Sequence, residues 1–283
     1  MDTDETCPMV PYDRVIADLG LPAWIGEVRN GRWLADAMVW EAPADWYTCP
    51  PALVPLTSDG SGPRYVGIWV RWTDAGRFLH FVEAEPEDQF LLLESALTVE
   101  QFAARLAMHA MSAADDVTDD IRAFAAAAGI VDLDALDRHT TNYSDHPRTL
   151  IHLPLFDTPR PATACAEGLS RDGITPFAGD TPSPEEPGAA WFELSGARRA
   201  ALADDPAAAP WQRRNAPVEN LFADAMAQGD HLRAWAILNS TGWTLFPARR
   251  AAADLAAAVA DPLIARQLRA WMAFSEDEGD DDY

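Results

Sequence analysis

Residues 64–72 carry a dense run of β-favouring side chains, Tyr65, Val66, Ile68, Trp69, Val70 and Trp72, the composition of a buried strand. After Thr73-Asp74-Ala75-Gly76 the pattern changes to alternation. Phe78, His80 and Val82 fall on one face of residues 77–83, and Arg77, Leu79, Phe81 and Glu83 on the other. Together the two runs predict an antiparallel hairpin. Upstream, Pro50, Pro51 and Pro55 hold the approach extended and out of helix. Asp59-Gly60-Ser61-Gly62 is turn chemistry, because Asp59 can bond its own backbone and the glycines accept positive φ. Asn30-Gly31 reads as a second hairpin turn, with strands over 24–28 and 33–40, and residues 89–93 add a further strand.

Helical patterns take over afterwards. A short helix over 13–19, ended by Gly20, precedes the strands. Thr98 and Gln101 form a capping box for a helix over 99–111, with Val99, Phe102, Leu106 and His109 at helical spacing. Thr118 caps a helix over 119–128 with Asp119 and Asp120 in its first turn, Gly129 as its stop, and Ile121, Phe124 and Ala128 as its buried face. A polar loop over 137–146 then leads to a strand over 150–155. Strands followed by helices predict an α+β fold, an antiparallel sheet flanked by helices, over residues 1–157.

Residues 158–190 change character. Pro159, Pro161, Pro176, Pro182, Pro184 and Pro187, with glycines between them, exclude regular structure over 179–188 and predict a linker or a long surface loop. Residues 191–274 read as a separate α-helical region of paired helices. One spans 217–228 and stops at Gly229; Asp230 caps the next, which contains Leu232, Trp235 and Leu238. Pro247 opens an alanine-rich helix, and Asp261-Pro262 supplies N-cap and first helical residue for the last one, striped by Ile264, Leu268 and Trp271. Residues 275–283 are a like-charge acidic tail, expected to be disordered.

The order of Leu53-Val54-Pro55-Leu56, Asp59-Gly60-Ser61-Gly62, the aromatic strand, the Phe81-Val82 strand and Thr98-Val99-Glu100-Gln101-Phe102 resembles the SUKH superfamily of bacterial toxin-immunity proteins, which also includes a fungal cell-wall-synthesis regulator. The resemblance covers about residues 20–112. Pro63 departs from the aspartate or asparagine often found after the glycine turn in that family. The resemblance implies a SUKH-like domain that neutralises a cognate toxin by direct binding, without catalysis. Toxins of such systems include nucleases and deaminases, whose substrate clefts are basic.

Charge bears on the choice of partner. The formal net charge is −24, and all 21 basic residues are arginine. The absence of lysine excludes Schiff-base chemistry and a lysine-dependent phosphate loop. Nucleic acid and anionic membranes, both polyanions, are disfavoured partners, whereas a basic protein would be attracted at long range. Simple solubility accounts for acidity equally well. No apolar run reaches the roughly 18 residues of a transmembrane helix, and the acidic start Met1-Asp2-Thr3-Asp4-Glu5 is unlike a signal peptide, so the expected location is the cytoplasm. Cys7, Cys49 and Cys165 show no paired spacing, so free thiols are expected.

Chemistry-bearing motifs are few. Asp137, His139, Asp145 and His146 gather two carboxylates and two imidazoles in the 137–146 loop, at a spacing that matches no metal pattern, and a hydrolase using this loop is the alternative function. Ser61 between Gly60 and Gly62 lacks the spacing of a nucleophile elbow, and a strand follows it. No catalytic residue, metal or cofactor is therefore assigned. The acidic run after the hairpin, Glu83, Glu85, Glu87 and Asp88, reads either as a solvated loop or as a patch for arginine or lysine on a partner. Trp69 and Trp72, three apart on one strand and so on opposite faces, are the candidate aromatic anchors beside it, one of them entering the core. The readings left are a toxin-binding immunity module, that hydrolase, or a regulatory scaffold acting through the C-terminal helices.

Overall fold

The computed structural model describes residues 10–37, 49–58, 65–73, 76–85, 91–143, 150, 152–156, 209–213, 215–240 and 242–275. The architecture is α+β. Two helices, α1 (Val10–Asp18) and α2 (Ala23–Arg29), lead to a four-stranded antiparallel meander of β1 (Leu53–Ser58), β2 (Tyr65–Thr73), β3 (Gly76–Glu85) and β4 (Leu91–Ala96), in that spatial order. Helices α3 (Val99–Ala114), α4 (Asp119–Ala128) and α5 (Leu133–Tyr143) follow, then α6 (Val218–Ala227), α7 (His231–Leu238), α8 (Leu245–Ala258) and α9 (Pro262–Phe274). Among the described residues no helix is long and apolar enough to cross a membrane.

The expected central hairpin forms. β2 and β3 pair antiparallel from Tyr65 opposite Ala84 to Thr73 opposite Gly76. The proline-rich approach goes further than an extended segment: it is an edge strand, where Pro55 lacks a donor at little cost, with a register shift between Pro55 and Thr57. Gly67 lies opposite Pro55, and a Cβ there would stand 2.7 Å from the Val54 carbonyl oxygen, so the close approach of β1 and β2 requires glycine. Both faces of the sheet are buried, since the successive residues Phe81 and Val82 are each almost fully enclosed. On one face Phe81 stacks on Phe102 of α3 at 4.2 Å between ring centroids. Helix α3 is accordingly buried nearly all round.

The hairpin expected at Asn30-Gly31 is instead a helix end. Trp24, Ile25 and Val28 share one buried helical face of α2, and Gly31 takes φ 66°. Its amide donates to the Val28 carbonyl at 3.0 Å and that of Arg32 to Glu27 at 2.9 Å, the paired bonds of a Schellman motif. A type I′ turn and a Schellman stop ask for the same asparagine–glycine chemistry, and the helical spacing of the preceding apolar residues decides between them. Residues 33–37 form turns, and 38–40 lie outside the described residues. The strand expected over 150–155 is likewise replaced by a 3-10 turn, Pro154–Phe156.

The C-terminal helices share one hydrophobic core with the sheet, from Tyr12 to Phe274, and do not form a separate body. The join is built on backbone carbonyls just before β1. Pro50 and Pro51 have no N–H, and while the Pro50 carbonyl accepts from the Leu53 amide at 2.9 Å, those of Cys49 and Pro51 meet side chains of α9. Trp271 Nε1 donates to the Cys49 carbonyl at 2.7 Å and Gln267 Nε2 to that of Pro51 at 2.8 Å, both from α9. Asn239, the C-cap of α7, accepts from the Ala52 amide at 2.6 Å. Arg77 of β3 pairs with Asp261, the N-cap of α9, at 3.2 Å, and Arg266 pairs with Asp18. Ser275, expected to begin a disordered tail, is fully buried at the end of α9. Residues 158–190 and 276–283 lie outside the described residues.

Candidate functional site

The predicted anchor residues turn inward. Trp69 is 2% exposed. Trp72, on the opposite face, is half-buried, with its ring edge-on to Trp235 of α7 at 6.5 Å between centroids. Glu83 is also enclosed, which corrects its placement in an exposed acidic patch. Its Oε1 accepts from Arg105 Nη2 at 2.9 Å and from the Ser95 hydroxyl at 2.9 Å, tying β3 to α3 and β4. The reason is register: Glu83 shares a face with Phe81, and α3 packs on that face. Glu85 is the last residue of β3, and Glu87 and Asp88 lie outside the described residues.

The 137–146 segment is helical as far as Tyr143, correcting the expected loop. Asp132 starts that helix, its Oδ1 accepting from the Ala135 amide at 2.9 Å, and Leu136 and His139 form its buried edge. Asp145 and His146 lie outside the described residues. His139 meets Tyr143 and His152, at 5.2 and 6.4 Å between centroids. Among the described residues no three histidine, cysteine or acidic side chains come together as a metal-binding group.

Burial lowers the His139 pKa from its ordinary value of 6.5, and the neighbouring His152 charge lowers it further. The folded state therefore holds His139 neutral where the unfolded chain takes up a proton. The associated stability is intact above the unfolded pKa and is lost as pH falls below it toward the lower folded value. Thermal melts from about pH 7.5 to 5.5 are expected to fall less steeply in His139→Leu than in the parent protein.

A recess lies elsewhere, between α3, the α4–α5 connection and the 3-10 turn. It is a cavity of about 320 Å³. Alanines floor and wall it, Ala103 and Ala104 from α3, Ala128 from α4 and Ala135 from α5, and small side chains at those positions leave the space open. Leu153, Pro154 and Leu155 close one side. That side is held by Gln101, whose Nε2 donates to the Leu155 carbonyl at 3.0 Å while its Oε1 accepts from the Leu97 amide at 2.9 Å.

The rim is set by two helix caps in immediate succession. Gly129 (φ 74°) ends α4 in a Schellman motif, with the Ile130 amide donating to the Ala125 carbonyl at 2.9 Å, and Asp132 starts α5. Only Ile130 and Val131 separate the capping residues. Ile130 packs against the core, and Val131 is left fully exposed at the mouth. Leu155 is 38% exposed beside it. The two charged residues in the lining, Glu100 and Asp132, are both carboxylates. Sequence reasoning located the Gly129 stop and missed the site. The missed signal is the spacing Gly129-Ile130-Val131-Asp132, too short a connection to bury both β-branched residues. Comparisons with protein-family models, curated proteins and solved structures give no match.

Proposed function

We propose that this chain is a non-enzymatic immunity protein of the cytoplasm, SUKH-like in its N-terminal part. It binds and neutralises a cognate toxin with a basic substrate cleft, as in a nuclease or a deaminase. The observation that carries this reading is the one-sided charge of −24, joined to an apolar recess whose charged lining residues are acidic. Such a surface attracts a basic protein from a distance, and apolar contact then holds it.

The test is the association rate with the basic product of a neighbouring toxin gene, followed against ionic strength. The rate is expected to fall steeply as salt rises, because the Debye length shortens from about 30 Å at 0.01 M to about 8 Å at 0.15 M. Reversing Asp134, exposed and outside the recess lining, to arginine should slow association with little change in dissociation. A salt-independent rate would count against electrostatic recognition.

A further inference from the structure

We propose that the cavity between α3, the α4–α5 connection and the 3-10 turn is the anchor site for the partner. Its occupant is one large apolar side chain on a segment rich in arginine or lysine. This rests on the reading of the chain as a module for a basic protein. Three observations fix the occupant. The walls are alanine, leucine and isoleucine, and a volume of about 320 Å³ admits an aromatic or leucine side chain. A small-molecule site needs convergent polar groups to orient its ligand, whereas the polar side chains in this lining are Glu100 and Asp132.

Charge supplies the second observation. Residues 98–143, which include α3, α4 and α5, carry eight carboxylates against three arginines, and one of those, Arg105, is committed to Glu83. A basic segment is therefore complementary to the surroundings of the cavity, and an acidic one would be repelled. The third is Val131. The Gly129 stop and the Asp132 cap leave it no route inward, so a fully exposed β-branched side chain is presented at the mouth in a fixed position. A pre-organised apolar rim loses little entropy when a partner covers it.

The probes are a synthetic peptide with one tryptophan between arginine–alanine repeats, and the same peptide with alanine replacing the tryptophan. Both are titrated into the full chain with amide chemical shifts as the readout. The tryptophan peptide is expected to bind about tenfold or more tightly, with shifts centred on Ala103, Ala128, Ile130, Val131 and Leu155. Raising salt should weaken both peptides and preserve their ratio. Val131→Asp, at a fully exposed position, and Ala135→Phe, which fills the cavity, should bring the ratio close to one. Should Ala135→Phe fail to fold, Val131→Asp decides alone.

Equal, salt-sensitive binding of the two peptides would overturn the anchor site and leave the basic-partner reading standing. Binding of neither at low salt would contradict that reading itself. Self-association of the chain that Val131→Asp abolishes would assign the cavity to a second copy and overturn the proposal.

Discussion

Glu83→Ala is expected to cost about 3–5 kcal/mol of folding stability, because it removes one partner of a buried ion pair together with the carboxylate that accepts from the Ser95 hydroxyl. Arg105, 8% exposed on α3 where it packs over the sheet, would keep its charge without the Glu83 carboxylate. For a chain of this size the melting temperature should drop by roughly 10 °C. Replacing both residues, Glu83→Met with Arg105→Met, should recover most of the loss, since an apolar pair of similar volume leaves no charge to desolvate. Thermal and urea denaturation of the two singles and the double measure this. A Glu83→Ala variant as stable as the parent would mean that the carboxylate is solvated. The same burial makes Glu83→Arg a folding mutation, unsuited to probing partner binding.

Trp271→Ala should be comparably severe, about 3–5 kcal/mol, combining the loss of a large buried side chain with that of its hydrogen bond to the Cys49 carbonyl. Trp271→Phe keeps most of the volume and removes the indole N–H, so a smaller loss of about 1–3 kcal/mol is expected. The informative readout is where the loss appears. Because Trp271, Gln267 and Asn239 hold the backbone just before β1, amide exchange of Leu53 and Val54 should accelerate in the alanine variant. Unchanged exchange in β1 would show that the C-terminal helices unfold independently of the sheet.

Elements with local signals were legible in the sequence. The β2–β3 hairpin, the Thr98 and Thr118 caps, the Gly129 and Gly229 stops and the Asp261-Pro262 start each rest on a few neighbouring residues, and each is found. One local signal can serve two structures: Asn30-Gly31 suits a hairpin turn and a helix stop equally. The polar residues from Asp137 to Thr141 looked like a loop because the helix they belong to buries little beyond Leu136 and His139.

What local sequence does not encode is which distant element covers a strand. Glu83 opens an acidic run at the end of the predicted strand and reads as solvent-facing, yet Arg105, with which it pairs, is 22 residues away on a helix packed over that face. The union of the C-terminal helices with the sheet was hidden for the same reason, since Trp271 and Cys49 are 222 residues apart. The cavity was illegible because it is an absence of side-chain volume shared among three helices and a turn.

Growth rescue as a function of dose tests the central claim most directly, that this chain acts by binding and not by catalysis. Cells expressing a candidate basic toxin, should a neighbouring gene encode one, are titrated with this protein, and the ratio of the two proteins is measured alongside growth. Neutralisation by tight binding predicts that protection rises in proportion and is complete near one chain per toxin molecule. Full protection at a small fraction of that ratio, or none at any ratio, would contradict it.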